Sequence, residues 1–223
     1  MHIYVYIYMH ACMHVCIYVC IHVCVCMYLC WYVCRCIDDI ADNVKETINP
    51  ENELTNLQTD FDKNNIDNDI VSIFYSIENK VNKKHILKLI DGVKSDIEFT
   101  PYETIDQLLN YCHKVAGVVG IMFCEILGVD DNNALTKAND LGIAMQLTNI
   151  MRDIFEDANM GRVYLPHELF GRINPYDINI QNKDVVHNIY SERIDQIYNI
   201  AETKYLSGIS GLKFLNYNHR FIV

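Results

Sequence analysis

The sequence predicts an all-α protein. Two observations carry that expectation. From Ile70 onward apolar residues recur at three- and four-residue intervals. Strand signals are few and no internal repeat is present in this stretch. A chain of 223 residues suits one domain with a sizeable core. The elements follow in chain order.

Residues 1–34 contain no Asp, Glu, Lys or Arg. Hydropathy alone would make this a membrane-spanning candidate. The pattern argues against it, because Met1 to Tyr28 alternates strictly. Met, Ile, Val or Ala occupies every odd position, and His, Tyr or Cys every even one. A membrane helix has no reason for period two, and a single strand of that length would be unusual. Met, Ile, Val and Ala can be purine–pyrimidine–purine codons, and His, Tyr and Cys the reverse. Alternation of the two sets is what an alternating TA/TG/CA repeat yields on translation. Residues 1–30 are therefore expected to be a repeat-like, low-complexity segment outside the native fold, standing where a true N-terminus would be. A membrane anchor or a Cys/His metal tract would be the other readings. A basic n-region and a small-residue cleavage site, the marks of a signal peptide, are both absent. Eight of the ten cysteines lie in the first 36 residues, so they do not form a disulfide framework over the body.

Residues 44–69 are polar, with Pro50 early, and read as a helix end and a surface connection. Helical spacing then covers Ile70 to Val81 and Ile86 to Val93. Thr104 followed by Gln107 resembles a capping box. A mostly apolar stretch runs to Leu127, and Gly117 and Gly120 within it point to close packing or close approach to a ligand. A helix is expected from Asn133 to Ala158, stopped near Gly161, and another from Lys183 to Leu206.

The net charge is −11. An acidic chain repels phosphate backbones, so nucleic acid is an unsuitable partner. Diphosphates would need a divalent cation held by carboxylates.

Two acidic clusters could hold one. In the helix expected over 133–158, Gln146, Asn149, Asp153 and Asp157 share one stripe at 100° per residue. Asn149, Asp153 and Asp157 each offer an oxygen to a hard cation, and Arg152 could meet a phosphate. The plain alternative is the wet face of an amphipathic helix, and spacing alone leaves the two evenly balanced. In Asp38-Asp39-Ile40-Ala41-Asp42, Asp38 and Asp42 share a face, and Arg35 lies one turn earlier. One such cluster is usually just solvated. Two in a helical domain could face each other across a cavity, bridged by Mg²⁺ that neutralises a diphosphate leaving group.

These segments resemble a known family. RCIDDIAD (Arg35 to Asp42) is similar to the first Asp-rich motif of squalene/phytoene synthases. LIDGVKSDIE from Leu89 and YCHKVAGVVG from Tyr111 resemble further blocks. LGIAMQLTNIMRDIFEDANMGRVYL from Leu141, with Pro166, resembles the second Asp-rich motif and its GRxYLP sequel. The likeness covers roughly residues 31–220 and is nearer the bacterial and carotenogenic branch.

The resemblance implies a class I isoprenoid synthase-like helical bundle over residues 31–223, truncated at both ends because the family's C-terminal helices are missing. It implies Mg-dependent head-to-head joining of two geranylgeranyl or farnesyl diphosphates, through a cyclopropyl diphosphate, to a phytoene- or squalene-type hydrocarbon. NADPH would enter only for squalene. A non-catalytic or inactive truncated member is the alternative. Carried over by position, Asp38, Asp42, Asn149, Asp153 and Asp157 would hold Mg²⁺, with the four aspartates catalytic. Arg35, Gln146, Arg152 and Tyr111 would bind substrate, and Val115, Ala116 and Gly120 would line the prenyl channel. For Tyr111 a core aromatic is nearly as good a reading, and for Val115 and Ala116 packing is the better one. Asp91, Asp96, Arg162 and Tyr164 also match; structural roles suit them at least as well. Where the family usually has Tyr four residues before the motif's Arg, this chain has Trp31. Lipid substrates imply contact with a membrane surface, in the cytoplasm or at the membrane periphery, or in a plastid for a plant or alga.

Overall fold

The computed structural model describes residues 22–41, 49–77, 81–178 and 183–215. Every regular element among them is helical. Helix α1 covers residues 22–41. It is followed by α2 (Pro50–Lys63), α3 (Asp69–Ser76), α4 (Lys83–Ile97) and α5 (Ile105–Cys112). One π-helical segment, His113–Gly117, joins α5 to α6 (Val118–Ile126). Then come α7 (Asn132–Arg152), α8 (Ile154–Asn159), the short α9 (His167–Phe170) and α10 (Lys183–Ile209), which ends in a 3₁₀ turn over Ser210–Phe214.

The sequence writes the helix starts in side chains. Asn49, Asn68, Asn82 and Asp131 each accept from backbone N–H groups of the first turn of α2, α3, α4 and α7. Thr104 and Gln107 form the expected reciprocal capping box on α5. Such caps satisfy amides that a helix leaves without intrahelical partners.

Two regions differ from the expectation. Residues 50–63, read as part of a surface connection, form a full helix. Within their polar sequence Leu54, Leu57 and Phe61 recur at helical spacing and are buried, which gives about two turns of apolar stripe. The expected boundary at residue 30 falls inside α1. Val23, Cys26 and Cys30 are buried on the same stripe as Val33, Ile37 and Ile40. Residues 1–21 lie outside the described residues.

The buried side chains form two cores. The first joins α1, α2, α3, α4 and α6. The second joins α5, α7, α8, the 163–165 segment, α9 and α10. Val115 in the π-helical segment packs against both. α6 and α7 are an antiparallel pair in backbone contact. A Cβ on Gly120 would lie 2.3 Å from the Ala138 carbonyl oxygen, and one on Gly142 the same distance from that of Ala116. Only glycine permits this approach. Among the described residues no helix is long and apolar enough to cross a membrane.

Candidate active site

A cavity of about 750 Å³ lies among α1, the π-helical segment, α6, α7 and the 3₁₀ turn after α10. That is ample for one extended apolar ligand. α1 contributes Met27, Trp31, Arg35 and Asp38 to its wall, at intervals that keep one helix face turned inward. α7 contributes a matching stripe of Ala134, Ala138, Gly142, Gln146 and Asn149. The π-helical segment and α6 supply Val115, Ala116, Gly120, Phe123 and Cys124. A π-turn is wider than an α-turn, and such segments are frequent at functional sites.

The lining is segregated along each helix. Arg35 and Asp38 lie at the C-terminal end of the α1 stripe, and Gln146 and Asn149 at the C-terminal end of the α7 stripe. The rest of the wall is almost wholly apolar. This arrangement suits a ligand with a charged head and a hydrocarbon tail. Thus four of the expected site residues share one cavity, and so do Val115, Ala116 and Gly120. Asp42 lies outside the described residues.

Asp153 and Asp157 do not line the cavity with Asn149. The helix expected to run on to Ala158 breaks at Asp153, whose backbone sits at φ −101° and ψ 14° between α7 and α8. At that point Arg152 clamps the Asp153 carboxylate with both Nε and Nη2, at 2.7 and 2.6 Å. Hydrogen bonding to Arg152 holds Asp153 below the usual carboxylate range. Asp157 moves the other way. Burial first, then the neighbouring Asp153 charge, with a smaller push from Asp96, raises its carboxyl to about 6, against an opposing pull from Arg162. Arg35 is likewise engaged, pairing with Asp39 at 2.7 Å rather than reaching forward freely.

Tyr111 lies behind this wall, stacked on Tyr164 at 5.2 Å between ring centroids. Their hydroxyls donate to the two oxygens of Asp96, at 2.7 and 2.8 Å. Burial, reinforced by Asp96, keeps both phenols protonated well above their ordinary range. This bridge ties α4 and α5 to the segment that carries Arg162. Asp91 pairs with Lys114.

The donor set fits a hard divalent cation in its chemistry. Asp38 and Asn149 present oxygens to one cavity from two helices, and Asp153 and Asp157 add carboxylates at the end of α7. Among the described residues no three Asp, Glu, His or Cys side chains already converge on one point. Sequence reading missed the C-terminal wall. Gly208, Gly211, Leu212 and Phe214 also line the cavity. The signal was the Gly-Ile-Ser-Gly spacing at the end of α10, where a Cβ on Gly208 would meet Leu141 at 2.8 Å.

Comparison with known proteins bears on this site. The Squalene/phytoene synthase family model matches residues 27–217. The chain is 57% identical over 75 residues to a 15-cis-phytoene synthase of Enterobacter agglomerans, a stretch covering 34% of this chain and 25% of that protein. It is 41% identical over 128 residues to a 15-cis-phytoene synthase of Pantoea ananas, covering 55% and 40%. These alignments span well under two thirds of either relative's length. Among solved structures, a dehydrosqualene synthase crystallised with a ligand aligns with a TM-score of 0.72 at 26% identity, over 90% of this chain and 74% of that one.

Proposed function

Because the chain belongs to the squalene/phytoene synthase family, we propose that it joins two prenyl diphosphates head to head to make a phytoene- or squalene-type hydrocarbon. The observation that carries this reading is the cavity with a polar end and an apolar bore. Arg35, Asp38, Gln146 and Asn149 flank the one, and Ala134, Ala138 and Phe123 line the other.

In this reading Arg35, Gln146 and Arg152 bind the diphosphate head. Asp38, Asp42, Asn149, Asp153 and Asp157 hold Mg²⁺, which supplies charge neutralisation for the departing diphosphate. One substrate ionises, releasing its diphosphate, the double bond of the second attacks the carbocation, and loss of a proton from the adduct closes the ring of a cyclopropyl diphosphate. A second ionisation releases the remaining diphosphate, and the rearranged cation ends as hydrocarbon by losing a proton, or by taking hydride from NADPH where the product is squalene. The apolar walls exclude water from the carbocation and hold the two tails in reacting range. Tyr111 and Tyr164 keep their protons and, through Asp96, fix the segment beside Asp157. The lipid character of substrate and product favours work at a membrane surface.

One observation favours the alternative of a non-catalytic member. Asp153 already gives both oxygens to Arg152. Incubation with labelled geranylgeranyl or farnesyl diphosphate and Mg²⁺ separates the readings. The proposal expects cyclopropyl diphosphate or hydrocarbon from the wild-type chain. It expects at least a hundredfold less from Asp153→Asn, with the folded state retained. Unchanged turnover in that variant would show that the site is misplaced.

A further inference from the structure

Arg152 and Asp153 stand at the break between α7 and α8. Arg152 is the last residue of α7, and Asp153 lies between the two helices at φ −101° and ψ 14°. Consecutive side chains on an unbroken helix do not face each other, so a forked contact between them depends on such a break. Here Nε and Nη2 of Arg152 donate to the two carboxylate oxygens of Asp153. Arg162, the next arginine along the chain, acts instead on Asp157.

The fork takes one acceptor site on each Asp153 oxygen and sets a full positive charge against the carboxylate. A divalent cation that approaches Asp153 therefore meets a guanidinium already in place. The pair is built to exchange. The Arg152 side chain is 67% exposed and the Asp153 side chain 27%. Arg152 belongs to neither core, so swinging its guanidinium outward unpacks neither. A diphosphate offers the fork the same two-oxygen face with more negative charge than one carboxylate, and so competes for it.

We infer that Arg152 guards Asp153: with the fork closed the carboxylate is a poor cation ligand, and an arriving diphosphate opens it by drawing the guanidinium away. The inference rests on the proposed binding of a prenyl diphosphate and Mg²⁺ at the C-terminal end of α7. Diphosphate and cation then assist each other's binding, by the same factor in each direction. The closed pair, which by itself suits a non-catalytic chain, becomes the resting state of a working one.

The wild type, Arg152→Gln, Asp153→Asn and the double variant test the guard, each checked for wild-type helix content. Mn²⁺ is titrated without substrate and the free ion counted by electron paramagnetic resonance, which needs no turnover. Arg152→Gln should bind Mn²⁺ about three- to fivefold tighter than the wild type, the range that an exposed ion pair covers. In the Asp153→Asn background the same substitution should change affinity by less than about twofold, because no carboxylate is left to release. The reverse direction is read by Trp31, the single tryptophan, which lines the cavity. With EDTA present, geranylgeranyl thiodiphosphate should bind Asp153→Asn about threefold tighter than the wild type, since the guanidinium is no longer held. That gain should vanish when Arg152 is replaced as well. Arg152→Met carries the test if Arg152→Gln does not fold. Equal gains in both backgrounds would reduce the pair to long-range charge and overturn the guard, and so would the lack of any gain. Mn²⁺ that binds none of these proteins, even with the thiodiphosphate present, would instead overturn the proposed function itself.

Discussion

At Asp157 three effects compete. Burial and the charges of Asp153 and Asp96 disfavour the carboxylate, while Arg162 favours it, and the carboxyl ends near 6. Its folded value lies above its unfolded one. It is therefore neutral and harmless to stability below about pH 4, and costs stability as pH rises through about 6. The side chain is half-buried, so solvent screening reduces the cost to about 1–2 kcal/mol at neutral pH. Asp157→Asn should raise Tm at pH 7.5 and change it little at pH 4, as read by thermal melts at both values. Equal melting of variant and wild type at both pH values would contradict this account. Asp153 shows the opposite solution, its charge held by the two-pronged Arg152 contact. That pairing was not legible in the sequence. Spacing identifies which residues share a face, but a contact between consecutive residues depends on the local break in the helix.

That break belongs to the scale of elements. Gln146 and Asn149 fall on the cavity face as periodicity predicts, because a continuous helix repeats faithfully over one turn. Asp153 and Asp157 leave it because the helix is interrupted between α7 and α8. The Thr104–Gln107 cap was readable because its mechanism is local. The π-helical segment was not, since a wide turn leaves no compositional mark. The first turns of α1 were hidden for a different reason. Of their buried positions, Val23 comes from one alternating set and Cys26 from the other. Cysteine packs as a small apolar residue, so a period-two sequence still presents a helical stripe. The contact of α6 and α7 is the element on which the cavity depends. Gly142→Ala would place a methyl 2.3 Å from the Ala116 carbonyl oxygen. Forcing the helices apart should cost about 1–3 kcal/mol. Tm should fall by roughly 3–10 °C. An unchanged melt would show that the two helices are not held at backbone contact.

For the whole molecule, the proposed function rests on the cavity beside the first core. Each core packs its own helices, and beside the first lies a cavity whose wall carries Arg35, Asp38, Gln146 and Asn149 against an otherwise apolar lining. The chain carries a net charge of −11, yet it gathers Arg35 with Gln146 and Asn149 where an anionic head would sit. The family blocks were legible because their residues build this bore and its mouth. The closing wall from Gly208 to Phe214 was not, because it forms only when α10 folds back on α7. The most direct measurement is a crystal structure of the chain with geranylgeranyl thiodiphosphate and Mg²⁺. The account predicts the diphosphate between Asp38 and Asn149, with the tail running along α7 to Ala134. A diphosphate bound elsewhere, or a tail lying outside the bore, would contradict it.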